Sequence, residues 1–216
     1  MKRLALIMLL LAPAGVNAES TQQEGRIIGD ADNGKTLATS KTCVACHGTD
    51  GVSMIPANPS LAGQHENYLA KQLHEFKLGM TSGGTEGRVN AVMGGMSIGL
   101  TDQDIADLAA YYAGLTAPYG ETVESAVDLG QQLYFAGNID KGLAACTACH
   151  GPRGNGTPSS GFPRISGQPA EYIEAQLTAF RSGERDNDLN GMMRSVALKL
   201  SDEEIKALSQ YLGGLH

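Results

Sequence analysis

Two short stretches carry residue types able to do chemistry: "CVACHGTDG" at 43–51 and "CTACHGPRGNG" at 146–156. Each holds two cysteines three apart and a histidine directly after them, Cys43, Cys46 and His47 in one and Cys146, Cys149 and His150 in the other. These are all four cysteines of the chain. C-x-x-C-H is the attachment signal for a c-type haem. Cysteines so spaced on one helical turn reach the two vinyl groups on a porphyrin edge and form thioethers. The next residue is then placed to bind the iron from one face. Two copies predict two c-type haems. Three other readings compete. A zinc site would need cysteine pairs 103 residues apart brought together, far outside the usual spacing. A thioredoxin-like redox pair belongs beside a βαβ pattern, which is absent. Two short disulfides would leave both histidines without a role.

The surrounding sequence is duplicated. "NPSLAGQHENYLAKQLHEFKLG" (58–79) lies over "GFPRISGQPAEYIEAQLTAFRSG" (161–183), and "LTDQDIADLAAYYAGL" (100–115) over "LSDEEIKALSQYLGGL" (200–215). Pro59, Gly63-Gln64, Tyr68, Gln72, Leu73, Phe76 and Gly79 match Pro163, Gly167-Gln168, Tyr172, Gln176, Leu177, Phe180 and Gly183. A period near 100 residues is too long for a solenoid repeat and fits two tandem domains. Tyr68, Leu69, Gln72, Leu73 and Phe76 fall at helical spacing, as do Ile105, Leu108, Tyr111 and Tyr112. Thr101-x-x-Asp104 and Ser201-x-x-Glu204 are capping-box starts for the last helix of each half. Stretches 79–99, 183–191 and 151–168 read as irregular connections, and no sustained period-2 run appears. The fold class expected is all-α: two small helical domains, each built around a covalent haem. The boundaries expected are a leader at 1–18, a first domain at 19–117, a linker at 118–123 and a second domain at 124–216.

The duplication also bears on the sixth iron ligand. Met93 lies 8 residues before Thr101, and Met193 lies 8 before Ser201. A ligand common to both copies is therefore Met93 and Met193, paired with His47 and His150. His/Met is a common haem pairing, whereas Met54, Met80, Met96 and Met192 read as core filler. His65 and His74 have Pro169 and Thr178 as repeat equivalents, so neither is shared. With His216 they read as solvated or packed side chains.

The opening "MKRLALIMLLLAPAGVNAES" reads as a secretory signal, with Lys2 and Arg3, an apolar run from Leu4 to Leu11 and a small-residue site at Val16-Asn17-Ala18. That run is too short for a transmembrane helix. Export suits c-type haem attachment, and the location expected is the periplasm. Removing 1–18 takes away two positive charges and no acids, moving the formal net charge from −7 to −9. An acidic balance argues against nucleic acid and suits docking on a basic partner. With no Trp, 7 Tyr and 4 Phe, each half has a modest core that a flat apolar cofactor would complete.

Both pentads, "LAGQ" followed by Tyr68, "KQL" and Phe76, then "GFPRISGQ", "MMRSVALKLSDEEI" and the end "YLGGLH" together resemble the dihaem cytochromes c4 over the whole mature chain. The resemblance implies two cytochrome c domains with haem edges facing each other and His/Met ligation by His47 and Met93, His150 and Met193. It implies a periplasmic electron carrier, often loosely associated with the inner membrane. The partners implied are redox proteins, a quinol-oxidising complex or other donor and a terminal oxidase as acceptor. An electron carrier and not an enzyme is expected. The rival is a dihaem peroxidase or thiosulfate-oxidising cytochrome, which needs an open iron position or a substrate cleft. In single-domain cytochromes c a proline before the corresponding turn orients the axial histidine through its carbonyl. Pro59 and Pro163 are open to that reading and equally to that of plain loop prolines.

Overall fold

The computed structural model describes residues 27–216. The leader expected at 1–18 lies outside the described residues. The first half contains α1 (Ala31–Ser40), α2 (Val44–His47), α3 (Glu66–Thr81), α4 (Ala91–Ser97) and α5 (Asp102–Ala113). The second repeats them as α6 (Glu124–Ala136), α7 (Thr147–His150), α8 (Ala170–Ser182), α9 (Met192–Ala197) and α10 (Asp202–Gly213). Single 3₁₀ turns occur at Pro158–Ser160 and Leu189–Gly191. Among the described residues there is no strand, only isolated bridges between Asn138 and Leu143 and between Thr157 and Phe162. Nor is any helix among them long and apolar enough to cross a membrane. The expected all-α class holds.

Side-chain caps start several of these helices. Asp30 accepts from the N–H groups of Asp32 and Asn33 at the head of α1. Thr101 with Asp104 and Ser201 with Glu204 form complete capping boxes at α5 and α10, each meeting two backbone donors that the helix itself leaves free. The stretch 79–99 is less irregular than its composition suggests, because α4 occupies 91–97. Gly94 and Gly95 weaken the helical pattern by about 1 kcal/mol each relative to alanine. Two things offset them: the Asn90 side chain accepts from the Met93 N–H at 2.9 Å, and Gly94 lets the helix pack closely on Met80 of α3.

Each half closes around a crossing of its first and last long helices, α1 on α5 and α6 on α10. A glycine permits the close approach in each. A Cβ at Gly34 would lie 2.0 Å from the Asp107 carbonyl oxygen, and one at Gly130 would lie 2.4 Å from the Tyr211 Cβ. Around these crossings sit two separate cores. One holds Ala38, Leu69, Leu100, Ile105, Leu108 and Tyr112; the other holds Leu133, Tyr134, Ile173, Leu177, Ile205 and Leu208. Gly130→Ala is expected to destabilise the second domain by roughly 3 kcal/mol or more, since backbone on one side and Tyr211 on the other must move. A thermal melt of the variant unchanged from wild type would refute this.

The halves meet across the turns that follow the pentads. Tyr68 and Gln72 of α3 sit at helical spacing with Leu69 and Phe76, yet they face the other domain. The buried Arg185 donates to the Tyr68 hydroxyl (2.9 Å), to Gln72 Oε1 (3.2 Å) and to Gln176 Oε1 (2.8 Å). Arg88 in turn donates to Gln72 and to Gln176 across the boundary. Each guanidinium also covers a phenylalanine ring of its own domain, Arg88 on Phe76 and Arg185 on Phe180. The segment joining the halves is tied down as well: the Thr122 hydroxyl donates to the Tyr211 carbonyl at 3.1 Å.

Candidate haem sites

In each half the pentad forms one turn of helix that brings its first cysteine beneath its histidine. The His47 N–H donates to the Cys43 carbonyl at 3.0 Å, and the His150 N–H to the Cys146 carbonyl at 2.9 Å. Gly48 and Gly151 then end the turn at φ +83° and +74°. At Gly48 the position is closed to a side chain, since a Cβ would sit 2.0 Å from the Val52 carbonyl oxygen. Three residues on from each of these glycines the two halves again match. The N–H groups of Leu61 and Ala62 donate to Gly51, as those of Ile165 and Ser166 do to Gly154.

Both histidines are buried, His47 at 6% and His150 at 7% exposure. Nδ1 of His47 lies 2.8 Å from the Pro59 carbonyl oxygen, and Nδ1 of His150 lies 3.0 Å from that of Pro163. A carbonyl can only accept, so Nδ1 carries the proton and Nε2 keeps its lone pair. Burial lowers the pKa of each ring, and the proline carbonyl only partly offsets it. A neutral imidazole with a fixed tautomer and a free Nε2 is the state that binds a metal. Pro59 and Pro163 are therefore orienting residues, which settles between the two readings that the sequence left open.

None of the four cysteines is in a disulfide. Burial pushes Cys146 up to about 11, with Cys149 beside it adding to the rise, and burial raises Cys43 in the same direction. A redox-active C-x-x-C pair needs its first thiol lowered, so the shift has the wrong sign for that chemistry. Cys146, Met193, Val196 and Ile165 are half-buried against the second core, and Cys43, Leu61 and Leu73 against the first. Paired thiols, a histidine with free Nε2 and an apolar wall fit one c-type haem per domain.

Met93 lies in α4 and Met193 in α9, both half-buried and in equivalent positions. The other histidines are engaged elsewhere. His65 Nε2 lies 2.7 Å from the Asn155 carbonyl oxygen, His74 lies 3.9 Å from Asp102, and His216 packs edge-on against Tyr119. Met54 is 89% exposed in the loop after the first pentad, and Met80 and Met96 are 41% and 37% exposed, which corrects the reading of all three as core filler. A loop residue with no helix behind it has no core to enter. Sequence reasoning did not identify Arg88 and Arg185, nor the partners of Gln64 and Gln168. A polar residue repeated at a helix position of apolar spacing, Gln72 and Gln176, was the available signal.

Comparison with known proteins agrees with this geometry. The cytochrome c family profile matches twice, at residues 31–116 and 127–216. Cytochrome c4 of Azotobacter vinelandii is 46% identical over 191 residues, covering 87% of this chain and 90% of that protein. A thiosulfate dehydrogenase electron acceptor of Thiomonas intermedia is 40% identical over 176 residues, covering 79% of this chain and 77% of that one. The crystal structure of reduced recombinant cytochrome c4 from Pseudomonas stutzeri superimposes with a TM-score of 0.84 at 44% identity. It covers 87% of this chain and 100% of that chain. With a C-x-x-C-H turn at Cys43 and Cys46 and another at Cys146 and Cys149, the chain carries two covalent c-type haems and belongs to the cytochrome c4 family of dihaem electron-transfer proteins.

Proposed function

We infer that this cytochrome c4 works in the periplasm as a one-electron carrier, each haem iron held by a histidine and a methionine. The ligands are His47 and Met93 in the first domain and His150 and Met193 in the second. One observation carries this reading: in each half a buried neutral histidine keeps Nε2 free while a methionine stands at the same register on the short helix before the last capping box. When bound, the haem supplies the Fe(III)/Fe(II) couple, and a thioether ligand raises its potential relative to a second histidine. The chain's own residues hold the imidazole tautomer, exclude water with the apolar wall and keep the iron saturated. A saturated iron favours a carrier over a peroxidase. We assign the leader to 1–18, the domains to 19–117 and 124–216, and the linker to 118–123.

Donor and acceptor follow from surface and kinship. Without the leader's two positive charges the formal net charge goes from −7 to −9, which favours a basic docking face on the partner. A quinol-oxidising complex as donor and a terminal oxidase as acceptor, at the inner-membrane surface, fit a carrier of this class. The 40% identity to a thiosulfate dehydrogenase electron acceptor favours a second reading of the donor, a periplasmic thiosulfate dehydrogenase. Reduction by one donor and not the other in stopped-flow mixing would separate them.

The ligation is tested by near-infrared absorption of the oxidised protein, where methionine sulfur on ferric haem gives a weak charge-transfer band. Met93→His is expected to remove about half of the band, and Met193→His the other half. A band unchanged in both variants would exclude the assignment.

A further inference from the structure

The hydrogen bonds that orient the two axial histidines continue across the domain boundary. The Pro59 carbonyl that accepts from His47 belongs to the same peptide unit as the Ser60 N–H. That N–H donates to Oε1 of Gln168 in the second domain at 3.0 Å. In the second half the Pro163 carbonyl accepts from His150, and the N–H of the same peptide, that of Arg164, donates to Oε1 of Gln64 in the first domain at 2.9 Å. Each glutamine closes a ring by donating through Nε2 to the carbonyl of the residue it reads, Gln168 to Ser60 at 2.7 Å and Gln64 to Arg164 at 2.8 Å. Gln64 and Gln168 are repeat equivalents, as are Ser60 and Arg164, so the exchange is reciprocal. Ser60, Gln64 and Gln168 are 2%, 6% and 8% exposed, which keeps these bonds unscreened.

A peptide group passes polarisation from one side to the other. An acceptor on its N–H draws electron density toward the carbonyl oxygen, and hydrogen bonds in such a chain strengthen one another by roughly 10–30% per bond. A stronger acceptor at Nδ1 makes the imidazole a more basic ligand. A more basic ligand favours ferric over ferrous iron. We propose that Gln64 and Gln168 are positioning residues wired crosswise: Gln168 tunes the histidine of the first haem, and Gln64 that of the second. Each domain thereby sets part of the other's reduction potential through a bonded path of three links. The proposal rests on His47 and His150 being the iron ligands.

Redox titration of the full dihaem protein tests it, with the two haems told apart by their axial-methionine NMR signals, assigned through Met93→His. Gln168→Met keeps the side-chain size and removes both bonds. It is expected to raise the reduction equilibrium constant of the first haem about threefold, which is about 28 mV at about 59 mV per tenfold for one electron. The second haem should move far less. Gln64→Met should give the mirror result. Gln168→Glu at alkaline pH keeps an acceptor for the Ser60 N–H and adds charge to it, so the first haem should shift the opposite way, toward the oxidised form. Loosened packing at the boundary cannot produce that change of sign. The proposal is overturned if the larger shift falls on the haem of the mutated residue's own domain, if both haems move alike, or if the Met and Glu variants move the first haem in the same direction. Should Gln168→Met not fold, Gln168→Glu decides alone, and no selective shift of the first haem overturns it. A wild-type protein lacking the near-infrared sulfur band would instead defeat the ligand assignment, a distinguishable failure.

Discussion

Replacing Cys146 and Cys149 together by alanine is expected to halve the haem content of the purified protein and unfold the second domain at ambient temperature. Each domain has few large side chains to bury, and the second core ends in half-buried Cys146, Met193, Val196 and Ile165. Those residues need a large apolar partner, since a domain of this size buries too little surface to hold together comfortably alone. The thioethers also fasten that partner to the chain, as a disulfide fastens two segments, and losing such a staple costs about 2–5 kcal/mol. Losing the haem with it removes the apolar burial too. The Cys43→Ala, Cys46→Ala variant should do the same to the first domain while leaving α6 to α10 folded. Haem-to-protein absorbance ratios and the helical signal in circular dichroism check both. Two haems per chain in either variant, or an undiminished helical signal, would contradict the expectation.

Arg185→Met should separate the unfolding of the two halves. Arg185 is 7% exposed, and its guanidinium donates to Tyr68 and Gln72 of one domain and Gln176 and Asn187 of the other. Methionine keeps much of the stem but takes the donor from Asn187 Oδ1 and the Tyr68 hydroxyl and leaves the Gln72 and Gln176 oxygens with fewer donors, at a cost of about 3 kcal/mol. Much of that loss falls on contacts between the domains, so calorimetry is expected to resolve two transitions in the variant and one in the wild type. A second readout is electrostatic. Burial alone would raise the Tyr68 phenol, but the charges of Arg185 and Arg88 outweigh it and hold its pKa below the usual tyrosine value. With Arg185 gone, the burial effect dominates, and ultraviolet titration should show that phenol ionising at higher pH. An unchanged titration curve together with a single transition would rule the network out as the connection between domains.

Much of the site was legible because it is local. Cys43, Cys46 and His47 share one helical turn, so their spacing fixes their geometry, and Thr101 with Asp104 likewise makes a capping box within one turn. Duplication extended that reach: the register of Met93 and Met193 could be read by counting from the caps. The short helices α4 and α9 escaped notice because six or seven residues, with two glycines in α4, give no clear period, and their stability comes from α3 and α8 behind them.

By itself, then, the sequence determined the cofactor chemistry, the number of haems, the helical class and a matched methionine for each histidine, all properties of neighbouring or repeated residues. Tertiary structure alone decided what the repeated prolines and glutamines do. Pro59 and Pro163 could have been plain loop residues until their carbonyls were found 2.8 and 3.0 Å from the histidine rings. Gln64 and Gln168 were matched residues without partners, because the groups they bond lie about a hundred positions away in the other domain. Hydrogen bonding is short-ranged in space and blind to distance along the chain. Only folding could show that the histidine of each pentad is held, one peptide away, by the opposite domain.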